Sequence, residues 1–484
     1  MENAKESPYQ IIVIGAGAGG LVVAIGAAKA GKKVLLIENG NYGGDCTNFG
    51  CIPSKSTIAA AKMAHSLRES SQLGIAMQSK SLSGDNALER TRQIIASIRA
   101  HETPEILNGH GVNTLTGLAS FIDAHTLSVV KPNGTTTRVK GENIVIATGS
   151  HPKIPEIKGI DTVPVLTNET IFDLSEVPKK LAVIGGGPIG CELAQAYHRL
   201  GADVTIIHHH ENLLNKEVKK AQKVIETTFK NEGIELFLGF HPLFLANDGS
   251  NIAITLQQMN NHKKSTLTAS HVLVSAGRQP NIANLNLDKV GIKYSDRGIL
   301  VDAYGRTNLK NIWAVGDVAG RALFTHLAEN EARAVLTSLL MPGFLKKKLD
   351  RKQPIPRVTY TDPEVASLGL NQEEAEKKYG KRRTAVYTVP FSEVDRAITT
   401  GRTEGFVQIV TKKWSSKILG ATIVAPPAGE MLMEISTAMY CKLPLRKLAS
   451  IIHPYPTYSL AIRKAADQWL TATIIPALKK IVGK

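Results

Sequence analysis

Cysteine is scarce in this chain, four in 484 residues, which argues against a disulfide framework as the means of holding the fold. A structural zinc centre would want two pairs at ligand spacing, and Cys191 and Cys441 stand alone. No uninterrupted apolar run is long enough to span a bilayer. The polar stretch from Met1 to Gln10 does not resemble a secretion or transit signal, so a cytoplasmic protein is expected. A basic stripe interleaved with aromatics is also missing. The formal net charge of +16 is scattered, with short clusters at Lys346 to Lys348 and Lys479 to Lys480. That distribution speaks for a solvated surface and for attraction of a polyphosphate cofactor, not for nucleic acid. What is plentiful is glycine, 41 residues, alongside 43% hydrophobic residues, the profile of a globular, turn-rich chain of about two to four domains.

Two of the four cysteines lie together, in Gly43-Gly44-Asp45-Cys46-Thr47-Asn48-Phe49-Gly50-Cys51-Ile52-Pro53-Ser54-Lys55. The stretch reads as the start of a helix, because glycines allow a tight turn and Pro53 with Ser54 suits a first helical turn. A positive helix end stabilises thiolate over thiol, and the thiolate is the form that attacks disulfides, flavins and soft metals. A redox pair is therefore the expectation, with a structural disulfide or two buried thiols as the plainer alternative.

A unit repeats on either side of that pair. Tyr9 to Ile14 reads as a strand, Gly15-Ala16-Gly17-Ala18-Gly19-Gly20 as a glycine turn opening a helix, and Val34 to Glu38 as a second strand. Glycines at 15, 17 and 20 suit the turn, the approach of a pyrophosphate and close helix packing, while Glu38 can accept from a ribose. Leu181 to Ile184, then Gly185, Gly187 and Gly190 ahead of a helix to Leu200, repeat the unit at the same offsets. Two dinucleotide sites are expected. The counterpart of Glu38 is His208, followed by His209 and His210. Without an acid to repel a 2′-phosphate the second site leans toward NADPH, with NADH possible.

Further along, Ile144-Val145-Ile146-Ala147-Thr148-Gly149-Ser150, Val272 to Asn281 with Gly277 and Arg278, and Ile312-Trp313-Ala314-Val315-Gly316-Asp317-Val318 appear in order. With the fingerprint and the Cys46 to Lys55 stretch, these resemble the flavoprotein pyridine nucleotide–disulfide oxidoreductases, the family of lipoamide dehydrogenase, glutathione reductase and mercuric reductase. The resemblance runs over nearly the whole chain. It implies an α/β fold with two Rossmann-like domains, for FAD and NAD(P)H, and a C-terminal α+β dimerisation domain marked by Tyr360 to Gly369 and Asp395-Arg396-Ala397. Boundaries are expected to give a flavin domain over 1–150 and 276–350, a nicotinamide domain over 151–275 and an interface domain over 351–484. The resemblance also implies a homodimer, a Cys46–Cys51 disulfide with Cys51 beside the flavin and Cys46 outward, Asp317 on the ribityl chain, Thr148 and Gly149 at the return to the flavin domain, and a Lys55–Glu192 pair near the flavin. For Glu192 alone, an exposed helix charge is the simpler reading.

The carboxy-terminal motif departs from the disulfide reductases, which resemble one another in a His-Pro-Thr followed by glutamate. Here His453-Pro454-Tyr455-Pro456-Thr457-Tyr458-Ser459-Leu460 puts Tyr455 at the histidine position and Leu460 at the glutamate position. A phenol titrating at about 10 shuttles protons poorly at neutral pH. Tyrosine there is similar to mercuric reductases, although the cysteine pair that ends those enzymes is absent from Pro476 to Lys484. His453 is expected to pack, not to act as the acid. The sequence thus favours an FAD- and NADPH-dependent reductase acting on a soft metal ion or small-molecule acceptor. A dihydrolipoyl dehydrogenase-type reductase is one alternative. Another is a redox-responsive interaction module whose basic tail, Gln468 to Lys484, touches a membrane surface, a docked or frayed terminus being the safer reading of that tail. No bound metal is expected.

Overall fold

The computed structural model describes residues 8–76 and 83–482. Most of the amino-terminal stretch and the last two residues of the tail, both read above, lie outside them. Three sheets carry the architecture. In the first, Val112–Thr116, Val34–Glu38, Tyr9–Ile14, Thr136–Ile146 and Ile312–Ala314 run parallel, and Leu118–Phe121 and Thr126–Val130 add an antiparallel flap. The second is wholly parallel, in the order Glu235–Leu238, Asp203–His208, Lys180–Ile184, His271–Val274, Val165–Leu166. The repeat extends to register: Val13 lies between Leu36 and Val145, and Val183 lies between Ile206 and Leu273. Near-continuous β-branched and leucine runs suit these strands because both faces are covered, one by helices and the other by the antiparallel flap in the first sheet and by the antiparallel strands Phe240–Asp248, Asn251–Gln258 and Lys264–Ala269 in the second.

The chain crosses between the two sheets on a short antiparallel ribbon, Ser150–Pro152 against Arg278–Pro280. A five-stranded antiparallel sheet from Arg357–Thr359 to Phe406–Lys412 and Ile418–Ala425 forms the carboxy-terminal module. One face packs helices Ala428–Tyr440 and Leu460–Trp469. The other face sends Val365, Phe406 and Val424 into the core of the second parallel sheet. Burying a phenylalanine is worth about 2 kcal/mol, so the module is seated, not tethered.

That seating changes the helix after the second fingerprint. Pro188–Leu200 is buried on nearly every side, Glu192, Gln195 and Arg199 included, because it lies between its own sheet, the helix Cys51–Arg68 and the carboxy-terminal module. The tail continues from Leu460–Trp469 through a π-turn into Ile475–Val482, docked where Tyr387 and buried Thr473 share a hydrogen bond of 2.8 Å. No helix among the described residues is long and apolar enough to cross a membrane.

Candidate active site

The paired glycine turns divide the work in the same way. At Gly15 (φ +103°) a Cβ would stand 2.4 Å from the Ala147 carbonyl, and at Gly185 (φ +123°) 2.5 Å from that of Ser275. The third glycines, Gly20 and Gly190, would clash with the carbonyls of Gly15 and Gly185, each at 1.9 Å. The middle ones differ. Gly17 would meet only Gly44 Cα at 3.8 Å and Gly187 nothing within 4 Å, and each caps the helix that follows. Outer glycines are thus demanded by packing, while the middle ones leave bare backbone beside a positive helix end. That is the cradle a pyrophosphate fits, so both sites suit a dinucleotide.

The matched residues at the second strand ends keep one contact in common. Ala16 N–H donates to Glu38 Oε2 at 2.6 Å, and Gly186 N–H donates to His208 Nδ1 at 3.1 Å. With Nδ1 accepting, the neutral ring carries its proton on Nε2, a buried donor with no partner among the described residues. Burial, then His209 and His210, push His208 down to about 4. His208 therefore removes the repulsion an acid would exert, but brings no positive charge of its own.

Cys46 and Cys51 come together from two helices, not one. Cys46 lies in the single turn Gly44–Asn48, and Cys51 opens the helix Cys51–Arg68. Both are free thiols. Cys51 Sγ lies 3.6 Å from Oγ1 of Thr325, the first residue of the helix Thr325–Leu340, so two positive helix ends converge on this sulfur. The Cys46 thiol holds Cys51 down to about 6 against the opposing effect of burial, helped by Thr325 and by the Lys55 charge. Cys46 is pushed up by the same contact and by burial. The helix ends, Thr325 and Lys55 all favour the thiolate at Cys51.

Lys55, one turn further on, donates from Nζ to Glu192 Oε2 at 2.8 Å. Glu192 is no surface charge: 6% exposed, it also accepts the Tyr360 N–H on Oε1 at 2.8 Å. The Tyr360 ring lies 4.4 Å beneath the ammonium. Burial would lower the Lys55 pKa, but the Glu192 carboxylate raises it, so the cation persists beside Cys51. Thr325 and Tyr360 escaped the sequence reading. Tyr360 sat within a marker segment without a role, and nothing local links Thr325 to a cysteine.

Residues on the crossing ribbon tie the site together. The Arg278 guanidinium is engaged within the protein, with Asp45 Oδ1 at 2.9 Å and with the Ser150 hydroxyl and carbonyl at 2.8 Å each. Ser150 in turn donates to Asp317 Oδ2 at 2.6 Å, and burial raises the Asp317 pKa. Thr148 donates to the Asn281 carbonyl at 2.8 Å, while the Gly149 and Gly277 carbonyls accept from the Asn281 and Lys153 N–H groups. Gly316 (φ +74°) makes the turn into Asp317.

Tyr455 and His453 lie apart from this group in one protomer. The Tyr455 hydroxyl, on a side chain 72% exposed, donates to Asp395 Oδ2 at 2.8 Å, and this contact raises its pKa. The His453 ring is enclosed: Nδ1 faces the Ile451 carbonyl at 2.9 Å and Nε2 faces Glu434 Oε1 at 3.0 Å. Both partners present acceptor oxygens, so a neutral ring can donate to only one of them.

Two dinucleotide cradles flanking a prepared thiolate define a dithiol oxidoreductase that couples a flavin to a nicotinamide. Comparison with known families agrees: the model for pyridine nucleotide-disulphide oxidoreductases matches residues 9–332, and that for their dimerisation domain matches residues 355–466. The chain belongs to this family. It is an FAD-dependent NAD(P)H oxidoreductase, and its dimerisation domain supports a homodimer. It is 32% identical to the dihydrolipoyl dehydrogenase of Corynebacterium glutamicum, with 95% of this chain and 97% of that one covered. Identity is also 32% to the mercuric reductase of Streptomyces lividans, covering 95% and 96%. A solved structure, the Cu(II) complex of the HOCl-induced flavoprotein disulfide reductase RclA from Escherichia coli, superposes with a TM-score of 0.85 at 28% identity, over 95% and 99% of the chains.

Proposed function

We propose that Cys46 and Cys51 carry electrons from NADPH to a soft metal ion or another acceptor that needs no thiol protonation. FAD, when bound, would supply the two-electron chemistry that links the nicotinamide to the Cys46–Cys51 disulfide. The chain supplies the rest. Cys51, lowered to about 6, is the thiolate set against the flavin, and Cys46 is the outer sulfur that meets the acceptor, since exchange needs one prepared thiolate and one accessible thiol. Lys55, held by Glu192, keeps a positive charge beside them. Gly15, Gly17 and Gly20 with Glu38, Thr148, Gly149, Gly316 and Asp317 hold the FAD. Gly185, Gly187 and Gly190 with His208 and Gly277 hold the nicotinamide dinucleotide. Arg278, by its contacts, braces Asp45 against Ser150, and its charge bears on Asp317 beside them. The boundaries at 150, 275 and 350 and a cytoplasmic location belong to the same reading.

The observation that carries the acceptor class is the occupancy of the acid–base position. Tyr455 is a phenol made weaker by Asp395, and His453 has both nitrogens engaged. A soft cation takes two thiolates and needs no proton. A lipoamide-type reading is favoured by one feature, the His453–Glu434 pair at 3.0 Å, since a histidine oriented by a carboxylate is the usual acid–base device. Turnover of the holoenzyme with mercuric, cupric, quinone, lipoamide and glutathione acceptors decides between them. The metal reading expects turnover with soft cations that Cys46→Ser abolishes and His453→Gln leaves within about twofold. Brisk lipoamide turnover lost in His453→Gln overturns it.

A further inference from the structure

The helix Thr325–Leu340 is followed by a segment, residues 341–352, in which apolar and basic side chains are displayed together. Phe344, in the single turn Gly343–Leu345, is 87% exposed, with Leu345 at 51% and Met341 at 45%. Directly after them come Lys346, Lys347, Lys348, Arg351 and Lys352, against one acid, Asp350.

The backbone that carries this display is fixed. Buried Ser338 donates to the Lys347 carbonyl at 2.9 Å and accepts its N–H at 3.2 Å. The Leu349 N–H donates to the Ala303 carbonyl while its side chain is buried, and Arg351 donates to the carbonyls of Val301 and Asp302 at 3.0 Å each. The exposed Asp350 carboxylate caps the N–H groups of Lys352 and Gln353, and its carbonyl takes Arg321. A pinned platform thus presents an aromatic and two aliphatic side chains beside a run of cations. Its own structure leaves the apolar tip uncovered.

We propose that residues 341–352 dock the protein on an anionic lipid surface, with Phe344, Leu345 and Met341 entering the headgroup boundary and the lysines over the phosphates. A nucleic-acid backbone would use the lysines but offers nothing to Leu345 and Met341. A second copy seated on the same segment would set these lysines against their own counterparts.

The test is co-sedimentation of the holoenzyme with phosphatidylcholine vesicles, with and without about one third phosphatidylserine. Binding is expected to the anionic vesicles only and to weaken as salt is raised. Each lysine near the surface contributes roughly a fivefold factor, so changing Lys346, Lys347 and Lys348 together to glutamine should weaken binding on the order of 100-fold. Phe344→Ser should weaken it by about tenfold or more. Both variants should keep the flavin spectrum and the melting temperature of the parent, since Phe344, Lys347 and Lys348 are exposed, Lys346 is half-buried, and the pinning hydrogen bonds of this stretch run through the backbone. Absence of binding, or binding indifferent to Phe344→Ser, overturns the proposal. So does self-association lost with Phe344→Ser, or equal retention of duplex DNA by parent and Phe344→Ser protein when vesicles are not bound.

Discussion

Replacing Glu192 by glutamine removes one charge while keeping the side chain's volume and an oxygen for the Tyr360 N–H. At 2.8 Å and an effective dielectric of about 20, the attraction to Lys55 is about 6 kcal/mol. That is an upper figure. Glu192 has lost nearly all its water, but the Lys55 side chain is 35% exposed, so its ammonium has hydration to return to and the net loss is about 2 kcal/mol. A freed ammonium spends less time beside Cys51, whose thiolate it helps to stabilise. Two results are expected in anaerobic stopped-flow reduction by NADPH. The pH midpoint of the long-wavelength thiolate-to-flavin absorption rises by up to about one unit, and the rate of the first reduction falls by roughly 10-fold or more. Glu192→Asp should fall between the two. An amide variant with the parent's midpoint and rate would show that the ion pair serves packing alone and would refute the reasoning.

Other outcomes follow from the same geometry. Burial would raise the Asp362 pKa, but Arg402 and Arg199 override it and hold the carboxyl at about 2. A depressed carboxylate contributes stability that is present above the unfolded value, about 4, and is lost as pH falls from about 4 to 2; here that is roughly 2 kcal/mol. Asp362→Asn should flatten this limb in urea midpoints taken across that range, and should cost about 3 kcal/mol at pH 7 by stranding buried Arg199 with Glu232 alone. Thr325→Val removes the hydroxyl at 3.6 Å from Cys51 and should raise that thiol by about half a unit to one unit in an alkylation-rate titration. His208→Glu restores at the second cradle the acid present at the first, and should shift the NADPH to NADH ratio of kcat/KM toward NADH by about tenfold; an unchanged ratio would place phosphate discrimination elsewhere.

Both cradles were legible because the information is local. The strand, the glycine offsets and the acid at Glu38 fall within a few dozen residues, and the clash of a Cβ at Gly20 with Gly15 is written into that spacing. The site's finer wiring joins residues far apart in the chain. Thr325 reaches Cys51 across 274 positions and Tyr360 reaches Glu192 across 168, which no periodicity reports. The resemblance paired Glu192 with Lys55, but on local pattern alone Glu192 reads as a helix surface charge, because nothing within its helix reports that the carboxy-terminal module covers the outer face. The spacing of Cys46 and Cys51 suggested one helix start, whereas Gly50 breaks the chain into two helices and turns the thiols toward one another. Lys346 to Lys348 read as solvated surface since exposure of Phe344 beside them depends on how Ser338 and Ala303 pin the backbone.

The central claim is that one sulfur, Cys51, is the thiolate set against the flavin. Anaerobic titration of the holoenzyme with NADPH tests it most directly. The long-wavelength absorption is expected to develop in the parent, to persist in Cys46→Ser and to vanish in Cys51→Ser. Absorption that survives in Cys51→Ser and disappears in Cys46→Ser would contradict the account.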